Sequence, residues 1–412
     1  MPLSVVTQQP LHVEEFVRLV EALGPWLPDV EDAPIGVAVS GGADSLALAW
    51  LARQWRKNIV AFVVDHGLRA EAAAEARGVA QQLAALGIVT HVLKLAPFPS
   101  GRIQERARDA RFDALEKACA EAGCIDLLVG HHLHDQDETV WMRSAAGSGS
   151  HGLAGIAPVS IRGRIRVVRP LLSVHPERLR GMLRRMGLDW VEDPSNHNRR
   201  FERVRWRQDL TSDQRLQSRV WQRQADSQRK KQDEKLAYHL AQYATWHAEG
   251  WVFLHKDGLE EHALSSLIRL VAGNKYRPAR EKVQSLLRQG QGTLGGVTMQ
   301  PAGRFGEGVL LVREERAVEK KIPAHSCQVW DQRWLCRVED IPEGAQIGAV
   351  GDYAAQYDGR KLGVPARALR VLPALWYGNE IIRLPQPLSL SEETSFIWAG
   401  NVPITGENPV AL

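Results

Sequence analysis

Val37-Ala38-Val39-Ser40-Gly41-Gly42-Ala43-Asp44-Ser45 decides the fold. An apolar strand pattern from Ile35 to Val39 is broken by two glycines, and Ser45–Trp55 then shows helical spacing. Glycines let backbone N–H groups approach phosphate oxygens closely. The start of the following helix adds partial positive charge. Ser40 and Ser45 bring hydroxyl donors, and Ala43 completes the turn. Asp44 has the wrong charge for a phosphate unless a metal stands between them, so it implies Mg²⁺. A plain strand–turn–helix junction capped by Asp44-Ser45 is the alternative, but the place at the end of a first strand favours a nucleotide.

Outward from this turn, the pattern repeats. Strands are expected at 58–64, 88–95, 125–129 and 164–168. Helices are expected at 71–86, 103–122, from about 133 to 143, and at 175–186. Short apolar strands alternating with helices predict an α/β fold, a parallel sheet with helices on both faces. Ligands in such folds sit at the carboxyl ends of the strands. From Arg199 to His247 the chain turns rich in Arg, Gln and Lys, with Trp206, Trp221 and Trp246 at intervals, which predicts long polar helices. After Glu319 short strands and Pro/Gly turns predict a small mixed α/β C-terminal domain. Three domains are expected, 1–215, 216–318 (mainly helical) and 319–412, in keeping with 412 residues.

Composition removes several classes. No apolar run approaches the ~20 residues of a membrane helix. The opening residues do not read as a signal peptide, so a cytoplasmic location is expected. The four cysteines form no C-x-x-C pair, which argues against a disulfide framework or a zinc site. Net charge is only +4, but basic residues crowd 162–235, a distribution able to steer a polyanion.

Further motifs sit where strands end. Val64-Asp65-His66-Gly67-Leu68-Arg69 falls at the second strand's end, where nucleoside or metal contacts belong. Arg108 and Arg111 lie three apart on one helix; without further context they read as surface charge, but together they can clamp a phosphate. Gly130-His131-His132-Leu133-His134-Asp135-Gln136-Asp137-Glu138-Thr139 follows a strand; clustered His and carboxylates suit metal binding or acid–base work. It also reads as a capped helix start. Gly147–Ile156 reads as a flexible loop suited to closing over a substrate. Arg203 and Arg207, after the turn Asp193-Pro194-Ser195-Asn196, suit RNA backbone.

Taken in order, S-G-G-x-D-S, V-D-H-G-L-R, A-R-x-x-R-[YF], H-H-x-x-D-Q-x-E-T, G-S-G-x-x-G-L-x-G, R-P-L-L and W-x-x-D-P-S-N resemble the tRNA(Ile)-lysidine synthase family across about the first 210 residues. The likeness is weaker at Thr293–Gly296 and Val364–Arg367. The resemblance implies an adenine nucleotide α hydrolase-like fold with a catalytic domain at 1–215 and tRNA-binding parts at 216–318 and 319–412. It implies ATP at Ser40–Ser45, Asp65 and His66, and Mg²⁺ at Asp44. Asp44, Arg111, His132 and Asp135 would be catalytic; Arg108, Glu138, Arg203 and Arg207 would contact tRNA. The partners would be L-lysine, an isoleucine tRNA with a CAU anticodon and, since members are often dimers, a second copy. The base among His131, His132 and Asp135 stays open. One departure is His134, where the family usually has aspartate. A tRNA thiolase and a small-molecule amidating ligase share the loop, but the first generally needs paired cysteines or an iron–sulfur cluster, and the second an ammonia source.

Overall fold

This computed structural model describes residues 9–65, 72–95, 103–163, 165–192, 199, 202–274, 276–326, 328–389 and 395–399, with only the backbone at 72, 103–108 and 151. The chain divides into two compact units, Met1–Arg229 with Pro409–Leu412, and Lys230–Asn408.

The first unit is built on a six-stranded sheet. Its strands are β1 (Ile35–Val39), β2 (Ile59–Asp65), β3 (Val89–Lys94), β4 (Asp126–Leu128), β5 (Val159–Arg162) and β6 (Ile165–Val168). They are ordered β3-β2-β1-β4-β6-β5. β1 pairs in parallel with β2 (Val37 with Ala61) and with β4 (Gly36 with Leu127). The described helices are α1 (Val13–Glu21), α2 (Ala43–Trp55), α3 (Ala72–Ala85), α4 (Ile103–Glu121), α5 (Leu133–Ala145), α6 (Ser150–Leu153), α7 (Pro176–Arg185), α8 (Glu202–Asp209) and α9 (Ser212–Tyr243).

Two apolar cores cover the two sheet faces. Phe16, Leu46, Leu51, Val79, Leu83, Leu179 and Leu183 bring α1, α2, α3 and α7 to one side. Phe112, Leu115 and Cys119 of α4 pack with Phe62, Leu127 and Val167 on the other. Strands buried on both faces need the near-continuous apolar runs that the sequence shows. The expected strands and helices are present within a few residues. β5 was not anticipated: it runs antiparallel to β6 through a tight turn at Gly163 (φ +52°), giving the parallel sheet an antiparallel edge.

In the second unit, helices Glu261–Ala272 and Arg280–Gln289 accompany a five-stranded sheet over 244–313, so antiparallel strands join the helices expected there. The expected 215/216 boundary lies in the first turn of α9, and the 229/230 division lies further along the same helix. Trp251, Leu310 and Val312 share one buried core with Trp330, Ile347 and Leu375, on both sides of residue 318. No helix among the described residues is long and apolar enough to cross a membrane.

Candidate active site at the ends of β1 and β4

β1 and β4 are neighbours, but β2 and β3 lie beyond one and β6 and β5 beyond the other. Where the winding direction reverses, a crevice opens at the strands' carboxyl ends. The turn after β1 fills it. Gly41 has φ +86°, and a Cβ there would stand 2.7 Å from Val79 Cγ2; only glycine fits. The Ser40 N–H donates to Ser45 Oγ (3.1 Å), and Ser45 Oγ donates to the Gly42 carbonyl (3.0 Å). Ser45 is therefore turned inward, holding the loop it was expected to lend to phosphate, while Ser40 is exposed. A Cβ at Gly130 would stand 3.2 Å from the Asp44 carbonyl, so the loops after β1 and β4 pass at backbone contact.

His132 caps α5 and joins the two loops. Its N–H donates to Asp135 Oδ2 (2.9 Å), and the Asp135 N–H returns to His132 Nδ1 (3.4 Å), a reciprocal capping pair. His132 Nε2 faces Asp44 Oδ2 at 3.4 Å. Burial opposes charge on His132, yet Asp135 and Asp44 hold its pKa above the ordinary value. Asp44 Oδ1 is buried and has no hydrogen-bond partner.

Behind His132 lies a cluster of unlike charges. Arg203 donates to Glu138 Oε2 and Asp135 Oδ1 (both 3.2 Å). Arg207 donates to Glu138 Oε1 (2.8 Å) and Asp135 Oδ1 (3.2 Å). Burial would raise the Asp135 pKa, but His132, Arg203, His131 and Arg207 overcome it and hold the carboxyl far below its usual range. Burial opposes charge on Arg207 too, and its bond to Glu138 nevertheless raises its pKa. Here the structure corrects the sequence reading. Glu138 is fully buried and spends its carboxylate on Arg203 and Arg207, whereas both arginines stay partly exposed and Arg207 lines both cavities.

Two cavities meet at Asp44. One, of about 250 Å³, lies against Phe62, Val64, Phe112 and Leu115, with Arg111 and His131 on its wall. Arg111 Nε is buried without a partner, and burial, then Arg203, lower the Arg111 pKa. The other, of about 470 Å³, takes in His132, His134, Trp190 and, from α7, Arg180 and Arg184. Gly42, Asp44 and Arg207 line both. Asp65 closes β2 and is buried. His66 and the Arg108 side chain lie outside the described residues.

The segment 147–156 is fastened, contrary to the closing loop expected from its glycines. Gln136 holds Ile156 through both its amide atoms (2.6 and 2.7 Å), and Arg143 donates to the Gly152 and Gly155 carbonyls (2.8 and 3.0 Å). At Gly155 (φ +75°) a Cβ would stand 2.3 Å from Gln136 Oε1. Gly155 serves close approach to α5. Sequence reading also passed over Arg180, Arg184 and His175, whose only local signal is the start of α7.

A glycine turn at a topological switch point, opening a helix beside a carboxylate and backed by guanidiniums, defines a pyrophosphate-loop nucleotide-binding domain, and the PP-loop domain family matches residues 14–214. The chain is 31% identical over 373 residues to the tRNA(Ile)-lysidine synthase of Ruegeria pomeroyi, covering 85% of this chain and 88% of that one. To the enzyme of the same name from Brucella suis it is 31% identical over 385 residues, covering 84% and 85%. The Hyphomonas neptunium enzyme is 46% identical over 197 residues, covering 45% of this chain and 53% of that one. The chain belongs to the tRNA(Ile)-lysidine synthase family, and is an ATP-dependent ligase.

Proposed function

We propose that the protein joins lysine to C2 of the wobble cytidine in the CAU anticodon of tRNA(Ile), through an adenylated cytidine. The observation that carries this reading, beside the family, is the pair of cavities meeting at Asp44. The apolar cavity under β1 and β2 suits an adenine nucleoside, with its phosphates at Ser40–Asp44 and Arg111. The larger one suits the cytidine and the amino acid. Cytosine O2 attacks the α-phosphate and pyrophosphate leaves; the lysine amine then attacks C2 and AMP leaves. A base taken from its stack for this chemistry needs such a pocket.

Mg²⁺ fits the donor set. Asp44 offers a buried, unpartnered oxygen. Among the described residues no group of three or more His, Cys, Asp or Glu assembles to hold a metal alone. Asp44 would hold such a cation, with phosphate and water completing its ligands as is usual for Mg²⁺, and it would neutralise phosphate charge. His132, Arg203 and Arg207 hold Asp135 ionised, which makes it a weak proton acceptor and a good anchor for His132; with His132 Nδ1 accepting the Asp135 N–H, the neutral ring keeps its proton on Nε2, toward Asp44. We assign catalysis to 1–215 and tRNA contact to 216–318 and 319–412, in the cytoplasm, with a homodimer as the assembly to look for.

Sulfur transfer gains no support from the thiols: Cys119 and Cys124 are buried in the α4 core and line neither cavity. The test uses purified protein, ATP, Mg²⁺, labelled lysine and a tRNA(Ile) transcript with a CAU anticodon. Label should enter the tRNA with one AMP and one pyrophosphate released per lysine. Pyrophosphate release that needs no RNA, or a mass gain of one sulfur, would overturn the reading.

A further inference from the structure

We infer that His134 and His175 form a brace that positions the two walls of the larger cavity, with His134 acting as a hydrogen-bond acceptor and His175 as its donor. The functional half of this inference rests on the reaction proposed above. His175 caps α7: its Nδ1 accepts the Glu177 N–H at 3.3 Å. In neutral His175 the ring proton must then be on Nε2. That atom lies 3.1 Å from His134 Nε2, with the rings nearly perpendicular (81°, centroids 4.5 Å apart). Two nitrogens at this distance need one donor and one acceptor, so His134 accepts at Nε2 and carries its own proton on Nδ1.

The bond joins the N-terminal end of α5, where His132 and Asp135 stand, to the N-cap of α7, the helix that brings Arg180 to the same cavity. A backbone bond from Leu133 N–H to the Val174 carbonyl (3.0 Å) runs beside it. His134 also meets the His132 ring edge-on at 6.0 Å. Loss of the brace therefore loosens both the cavity's width and the ring that faces Asp44. What position 134 must supply is an acceptor for His175 Nε2–H. A carboxylate supplies one as well as imidazole does, which gives a physical reason why histidine can stand where the family usually has aspartate.

His175 lines neither cavity, and His134 spends its Nε2 on His175, so we assign both rings positioning roles. His175→Ala and His134→Ala should each raise KM for lysine about tenfold, the scale of one lost hydrogen bond in a buried setting. Pyrophosphate release from tRNA and ATP with lysine omitted places the cytidine in the same cavity, beside Asp44, and should fall in the same variants. The double variant should be no worse than either single one. His134→Asp should recover most of the loss, because it restores an acceptor; His134→Lys, which has only donors, should not. Additive effects, or His134→Asp behaving like His134→Ala while both remain folded, would overturn the brace. A reading independent of turnover comes from ¹⁵N-histidine spectra of the full chain, which should show the Nε2–H tautomer at His175 and the Nδ1–H tautomer at His134. The opposite tautomer at His134 refutes the brace even if the enzyme proves to act on another substrate.

Discussion

Among the described residues, two clusters of buried arginine and carboxylate differ: the one around Glu138 opens onto cavities, and the one around Asp331 is closed by its own partners. In the second unit, Asp331 accepts from Arg313 (2.8 and 3.1 Å), Arg333 (2.7 Å) and the Glu319 N–H (3.0 Å), while its own N–H donates to Glu319 (2.6 Å). Asp331 and Gln332 form a turn with positive φ (50° and 54°) between strands Val329–Trp330 and Trp334–Cys336, and Arg333 is fully buried beneath it. In the first unit, Asp135 and Glu138 likewise gather Arg203 and Arg207, but Asp44 Oδ1 and Arg111 Nε beside them have no partner, and two cavities reach them. The residue types are the same. In the Asp331 cluster, Arg333 Nη2 lacks a hydrogen bond but still lies 2.6 Å from Asp331 Oδ2, whereas the first cluster leaves Asp44 Oδ1 and Arg111 Nε unspent where a ligand can enter. Spare hydrogen-bonding capacity at a cavity, rather than buried charge, marks the site.

The largest effect should come from breaking the closed cluster. Asp331→Ala strands two buried guanidiniums and should cost about 3–5 kcal/mol of stability. Denaturant unfolding should show this as a lower midpoint for the transition of the second unit. Pyrophosphate release at a temperature where the variant is folded should persist. If release collapses while folding is intact, the two clusters are not separable as drawn.

Asp44→Asn is the converse. It keeps shape and removes the charge, so the melting temperature should hold while lysine transfer falls about 10²–10³-fold, the scale of losing one preorganised electrostatic contact to a reacting group. Single-turnover transfer at saturating ATP measures it. Unchanged turnover would put the phosphates elsewhere.

A smaller effect probes what holds α5 in place. Gln136→Ala removes both bonds to Ile156 and leaves a buried N–H and carbonyl unpaired, a cost of about 1–3 kcal/mol. Proteolysis of the segment around Gly152 should quicken accordingly. A segment cut no faster than in the parent would mean that Arg143 alone fastens it.

These contrasts show what the sequence makes legible and what it hides. The turn from Val37 to Ser45 could be read because strand, glycines and helix are adjacent and each follows from local sterics. So could α4 and α5, whose apolar spacing is local. Pairings such as Arg203 with Glu138, His134 with His175 and Gln136 with Ile156 span 65, 41 and 20 residues, and nothing in either partner's neighbourhood names the other. For that reason Glu138 reads as an RNA contact, and Gly152 and Gly155 as flexible. Glycine makes close approach and mobility look alike in a sequence; only the atom it approaches tells them apart.

The smallest effect separates the clusters by pH. Burial, then the charges of Arg215, His175, His132 and Arg219, push the His134 pKa down to about 3 from an ordinary 6.5. Above 6.5 the ring is neutral in both folded and unfolded chains, and its contribution to stability is complete. As pH falls from 6.5 toward 3, the unfolded chain takes up a proton that the native chain refuses, so stability is lost. His175 is lowered in the same sense by its own burial, while His132 is raised and acts oppositely. The clean readout is therefore a difference. His134→Asn keeps an acceptor for His175 but cannot titrate, so the parent should lose melting temperature relative to this variant between pH 6.5 and 5, where most carboxylates are still ionised. The open side of the ring toward the cavity keeps this effect modest. Against an Asp331→Asn background the same difference should reappear unchanged, because no histidine among the described residues bonds to the Asp331 carboxylate; a difference that vanishes there would mean that the two clusters share a proton balance after all.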